Sequence, residues 1–193
     1  MGRARLEAFS DGVIAILITI MVLELKVPQG NDWKALREVL PVFLPYLLSF
    51  VFLGIYWANH HHMLHTVDQV DGKVLWANLH LLFWLSLVPF VTAWMGRCPT
   101  AQVPTACYGI VLFLAGVAYT LLQSTIIAKQ GEGSKLKKAV GEDRKGKGSV
   151  LLYAMAIALA FVHPWLSDAI YVAVALMWLV PDRRIEGAMG RAS

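Results

Sequence analysis

Charge is scarce in this chain. Only 16% of its 193 residues are Asp, Glu, Lys or Arg, 58% are hydrophobic, and the mean hydropathy is +0.58. So little charge cannot cover a soluble globule, and the composition points to one domain, residues 1–193, that crosses a membrane several times. Cysteine is nearly absent. Cys98 and Cys107 flank a Pro-containing loop with no metal-type spacing. They can form a disulfide if that loop is external, or be two small apolar residues near helix ends. No Ser/His/Asp or paired-carboxylate arrangement is present, so no catalytic residue, enzyme activity or cofactor is expected. The first apolar stretch lacks a small-residue cleavage site and carries Asp11 at its start, unlike a cleavable signal. The net charge of +4 is modest and unevenly spread, which reports topology rather than a nucleic-acid partner.

What the chain has is long apolar runs, and the first is unusual. It opens on Arg5, Phe9, Ser10 and Asp11, continues from Gly12 to Leu23 with Thr19 as its only hydroxyl, and meets Glu24 and Lys26 at its far end. A helix of this length roughly spans the ~30 Å hydrocarbon layer. A plain lipid anchor needs no such polar entrance, since ionisable groups at membrane depth are costly and face protein or water. Ile16, Ile20 and Leu23 recur at helical spacing, with Thr19 beside them on one stripe. Spacing alone allows a lipid-facing stripe, a packing stripe or a pore lining.

Six spans are expected, over 8–27, 42–65, 74–95, 105–128, 149–162 and 165–180, the last two short. A brief interfacial helix is expected over 33–40, a kink at Pro89, and a polar basic loop over 129–148. That loop reads as a solvated topology determinant or as a contact for anionic headgroups. With six spans, thirteen of the 17 basic residues fall on the side of the termini, and only Lys26, Lys34, Arg37 and Arg97 on the other. The positive-inside rule then places both termini in the cytoplasm, with Trp33, Trp94 and Trp165 near the outer interface.

The second span ends in Trp57-Ala58-Asn59-His60-His61-His62-Met63-Leu64-His65. His61 and His65, or His62 and His65, have the spacing of a helical metal pair, which Asp68 or Asp71 could complete. This is the main competing signal, for a metal or proton-coupled transporter. Its bland counterpart is buried imidazoles bonded to neighbouring helices, with no metal. His163 and Asp168 can mark an outer vestibule or merely a turn and a helix-start acid.

The pattern Arg5-x-x-x-Phe9-Ser10-Asp11, followed by Gly12-Val13-Ile14-Ala15-Ile16-Leu17, resembles the signature and first helix of the transmembrane-protein-175 family of potassium channels. Trp57-x-x-His60 resembles a motif of that family's second helix, and Asn78 an asparagine of its third. The resemblance covers most of the chain. It implies an all-α membrane protein with six transmembrane helices per subunit, the first lining a central pore in an oligomer. It further implies a passive, potassium-preferring cation channel, narrowed at Ile16 with further layers at Ile20 and Leu23 and Thr19 beside them. Arg5, Phe9, Ser10, Asp11, His60 and Asn78 would brace the pore helix. His60 and Asn78 would meet Ser10 or Asp11, and Arg5 would pair with Asp11 or a neighbouring subunit. The single copy of the signature implies a homotetramer of the prokaryotic kind in the plasma membrane, with potassium ions and the lipid bilayer as partners. The chain has no T-V-G-Y-G segment, so the usual carbonyl-lined filter is absent.

Overall fold

A computed structural model describes residues 2–67, 69–141 and 143–179, with the side chain of residue 139 also excepted. The described residues are helical apart from short connections: α1 (Arg3–Leu23), α2 (Trp33–His65), α3 (Gly72–Ser86), α4 (Val88–Arg97), α5 (Gln102–Gln130), α6 (Lys135–Val140), α7 (Arg144–Ala160) and α8 (Pro164–Leu179), with a 3-10 turn at Gly131–Gly133. Four spans among them are long and apolar enough to cross a membrane: Arg3–Leu23, Trp33–His65, Gly72–Arg97 and Gln102–Gly133. α8 is apolar but has 16 residues, and α7 has 17 and begins among Arg144, Lys145 and Lys147.

Caps explain several boundaries. Asp32 accepts a hydrogen bond from the Ala35 amide at 2.8 Å and starts α2 at Trp33. The helix then runs unbroken through Pro41 and Pro45 to His65, so residues 33–40 are its first turns rather than a separate interfacial piece. Each proline removes one backbone donor, a local loss that membrane helices tolerate. The third expected span is divided. α3 stops at Ser86, Leu87 is the joint, and Pro89 sits in the first turn of α4, where its missing N–H costs nothing. The segment 129–148 is also largely helical. Ser134 caps α6 through the Lys137 amide and Asp143 caps α7 through the Gly146 amide, so α7 begins five residues before Ser149. Gly141 ends α6 at φ 61°, a left-handed position that suits glycine.

α5 is the hub, packing against α3, α4, α7 and α8, while α1 lies against α2, α3 and α4. α4 approaches α2 closely at Gly96, where a Cβ would sit 3.0 Å from the Val42 Cα. Ser49, Thr92 and Tyr108 join α2, α4 and α5 through one polar seam. Thr92 donates to the Val88 carbonyl at 2.7 Å, so its oxygen accepts from Ser49 (2.7 Å), which in turn accepts from Tyr108 (2.9 Å). Cys98 and Cys107 are both free, one exposed and one partly buried.

Polar ties mark the two ends of the bundle. At one end Lys129 donates to the Gln69 carbonyl at 2.7 Å and pairs with Asp71 at 3.4 Å, and Gln130 donates to the Thr66 carbonyl at 2.6 Å. At the other end Arg97 pairs with Glu24 at 2.7 Å and Gln102 donates to the Phe161 carbonyl at 3.0 Å. Asp71 also caps α3 through the Val74 amide at 2.9 Å. That amide first, and Lys129 after it, hold the Asp71 carboxyl below its ordinary value. A carboxyl lowered on folding contributes stability above its unfolded value and loses it as pH falls through the folded one. Asp71→Asn is therefore expected to flatten the acid limb of the Tm-against-pH curve slightly, measured by thermal melting in detergent from pH 6 to 3.

Candidate pore helix and its bracing network

α1 has two different faces. Leu6, Ser10, Ile14, Leu17 and Met21 recur every three or four residues and are buried against α2, α3 and α4. The opposite face is left uncovered by the described residues: Ile16 is 57% exposed, Ile20 46% and Leu23 80%. Thr19 is exposed on the same stripe, and its hydroxyl donates to the Ile16 carbonyl at 2.8 Å, leaving oxygen lone pairs outward. Beside this bulky stripe run Ala8, Gly12, Ala15 and Thr19, all exposed, a line of small residues at i, i+4, i+7, i+11.

The buried face carries a one-way hydrogen-bond chain. His60, Asn78 and Ser10 are at most 1% exposed. The Asn78 Oδ1 can only accept, so His60 Nε2–H donates to it, at 2.6 Å. Asn78 Nδ2 donates to Ser10 Oγ at 3.0 Å, and Ser10 donates to the Leu6 carbonyl at 2.9 Å. This places a proton on His60 Nε2, and its Nδ1 is buried with no partner among the described residues. Asp11 is held separately: Trp57 Nε1 donates to its Oδ1 at 3.0 Å. Trp57 and His60 thus lie three apart on α2 and, one directly and one through Asn78, hold two consecutive residues of α1. That is the physical content of the W-x-x-H spacing: it joins one turn of α2 to one turn of α1.

The structure therefore brings Ser10, His60 and Asn78 together, and Asp11 beside them. It does not pair Arg5 with Asp11. Arg5 is exposed and has no side-chain partner among the described residues of its own chain, and six residues separate it from Asp11 along α1, which puts the two on different faces. Phe9 is 50% exposed on the uncovered side of α1. Sequence reasoning missed Glu7. Its Oε1 lies 2.8 Å from His61 Nδ1 and 3.8 Å from His65 Nε2, and its Oε2 lies 3.9 Å from Arg3 Nε. Its position four residues before Asp11 was the available signal. Asp68 lies outside the described residues, and Asp71 pairs with Lys129 instead of the histidines. His80 accepts from Trp84 at 2.9 Å, and His163 is exposed. Asp168 is partly buried on α8, with one carboxylate oxygen lacking a partner among the described residues. Trp178 donates to Ser149 at 2.8 Å; Pro181, Arg183 and Arg184, which by sequence read as a proline stop to the last helix and a basic anchor on the inner side, lie outside the described residues.

Several apolar helices of spanning length, with polar contacts concentrated between them, define a multi-pass membrane protein. A potassium channel of Chryseobacterium sp. (strain P1-3) is 53% identical over 189 residues, 98% of this chain and 98% of its own. The crystal structure of a lysosomal potassium-selective channel TMEM175 homolog from Chamaesiphon minutus superposes with a TM-score of 0.82 at 29% identity, covering 92% of this chain and 96% of that one. The endosomal/lysosomal proton channel TMEM175 of Homo sapiens is 30% identical over 172 residues, which are 80% of this chain but 33% of that protein. Residues 5–89 match the family described as endosomal/lysosomal potassium channel TMEM175. The class is that of ion channels, not enzymes. Within it, this chain belongs to the TMEM175 family.

Proposed function

We propose that the chain is a passive, potassium-preferring cation channel built as a homotetramer of six-helix subunits, with α1 from each subunit around the axis. The observation that carries this reading is the uncovered face of α1, on which Ile16, Thr19, Ile20 and Leu23 stand in line. Rings of Ile16, Ile20 and Leu23 would form a narrow apolar neck, which can gate by dewetting. The small-residue line of Ala8, Gly12 and Ala15 supports the reading, because small residues let membrane helices approach closely. A Cβ on Gly12 would meet nothing of its own chain within 4 Å. Arg5, exposed and without a side-chain partner among the described residues, is then placed to meet a neighbouring subunit. Because the Thr19 proton is given to the Ile16 carbonyl, its oxygen can offer lone pairs to a partly dehydrated cation. The names of the bacterial relatives support potassium as the ion. The sixth crossing is α8 and the fifth α7, and the charge asymmetry supports cytoplasmic termini in a plasma membrane.

The transporter alternative would place metal or proton chemistry on the histidine cluster, which lies in the last turns of α2 rather than at mid-span. The test is flux in liposomes under a potassium gradient and then a sodium gradient. Wild type is expected to pass potassium faster than sodium, and Ile16→Asn to raise total flux and narrow that preference several-fold. An unchanged ratio and rate in Ile16→Asn removes Ile16 from the neck. Flux that requires zinc or a proton gradient replaces the channel with a transporter.

A further inference from the structure

At the start of α1, Glu7, His61 and His65 turn three donor atoms toward one point, all within 4.8 Å of one another. The two histidines are one turn apart on α2 and Glu7 comes from α1, so the cluster bridges two helices. We propose that these three residues bind a divalent transition-metal cation of the zinc class, tying the base of α1 to the end of α2. The donor set is two imidazoles and a carboxylate, which suits zinc and leaves a fourth position for water. Bonds of about 2.0–2.1 Å in a tetrahedron place neighbouring donors about 3.3 Å apart. The observed separations from Glu7 Oε1, 2.8 Å to His61 Nδ1 and 3.8 Å to His65 Nε2, straddle that value. Small side-chain rotations would complete the geometry, and both histidine side chains are about 40% exposed, so an ion can reach them.

In the metal-free cluster His61 Nδ1 and Glu7 Oε1 approach to 2.8 Å, and a metal would take the place of any proton between them. Arg3 lies on the other side of the carboxylate: its Nε is 3.9 Å from Oε2, and its Nη1 donates to the His65 carbonyl at 3.2 Å. It therefore leaves Oε1 toward the histidines while opposing a second positive charge, so binding is expected to be reversible. The site stands on this geometry alone and needs no assumption about what the assembled protein conducts.

The test titrates Co2+ and Zn2+ into purified protein carrying no polyhistidine tag. Wild type is expected to take one Co2+ per chain with visible bands of low coordination number, to release it to Zn2+, and to melt at higher temperature as zinc is added. Glu7→Gln, His61→Asn and His65→Gln are each expected to weaken binding at least ~30-fold and to abolish the zinc-dependent rise in Tm. His80→Gln, which removes a histidine elsewhere, should bind as wild type does. His65 stands at the exposed end of α2, so His65→Gln is expected to keep its metal-free Tm. Absence of saturable binding in wild type, or equal loss in His80→Gln and His65→Gln, overturns the site.

Discussion

Asn78→Leu is expected to cost about 2–4 kcal/mol of stability, the largest loss from any single polar side chain around α1. Asn78 is the middle of a buried chain in which His60 donates to its carbonyl and its amide donates to Ser10. Leucine has nearly the same volume but neither group, so His60 Nε2–H loses its acceptor beside an Nδ1 that has no partner among the described residues. Each orphaned buried polar group costs about 1–3 kcal/mol, more than the net gain of a typical hydrogen bond. The sharper expectation follows from the same asymmetry. Removing both partners leaves no orphaned imidazole, and Ser10, though without its donor, still donates to the Leu6 carbonyl, so His60→Phe combined with Asn78→Leu should melt above Asn78→Leu alone. Melting of the single and double variants in detergent measures this directly, and strictly additive losses would show that the three side chains do not act as one chain. If the proposed channel is right and this network holds the rotation of α1, Asn78→Leu should also narrow the potassium preference in liposomes.

The parts of this arrangement that were legible in the sequence are those with a local pattern. The stripe of Ile16, Ile20 and Leu23 is visible from helical period alone. The meeting of His60, Asn78 and Ser10 followed from the resemblance of their motifs, not from spacing, because three residues on three helices have no periodic relation. The same reason hid the Ser49–Thr92–Tyr108 seam: each is a single hydroxyl in an apolar run, and only packing brings them to 2.7–2.9 Å. Arg5 was expected to pair with Asp11 or with a neighbouring subunit; within the described chain it is the Trp57 indole that reaches Asp11, since α2 lies against α1. Prolines at 41, 45 and 89 all carry the same breaking signal, but the first two lie inside a continuous helix and the third in the first turn of a new one. What separates them is position in the helix, and a sequence states that only once its caps are recognised. Asp32, Ser134 and Asp143 were such caps, and overlooking the last two turned a largely helical segment into a loop.

Gly109→Val, on the far side of the bundle, should destabilise the protein by a comparable amount while leaving ion preference untouched. A Cβ at Gly109 would collide with the Tyr171 hydroxyl and lie 3.0 Å from both the Tyr171 ring and the Ile157 side chain. Tyr171 has nowhere to go. It is fully buried, its ring sits 5.3 Å from that of Tyr108 and 6.4 Å from that of Tyr153, and its hydroxyl donates to the Thr105 carbonyl at 3.0 Å. Overpacking costs about 1–3 kcal/mol, and a displaced, unsatisfied hydroxyl adds about 1–3 more. Because the nearest obstruction is the hydroxyl itself, Tyr171→Phe should partly rescue Gly109→Ala; the Thr105 carbonyl keeps its helical hydrogen bond, so the rescue leaves no orphan. α5 and α8 meet at this point, whereas the uncovered stripe of α1 belongs to the other side of the fold, packed on α2, α3 and α4. Melting should therefore fall steeply in Gly109→Val, and Gly109→Ala with Tyr171→Phe should melt above Gly109→Ala alone, with the potassium-to-sodium flux ratio constant in whatever fraction remains assembled. A changed ratio would mean that α5 and α8 reach the conduction path, and the assignment of that path to α1 alone would have to be given up.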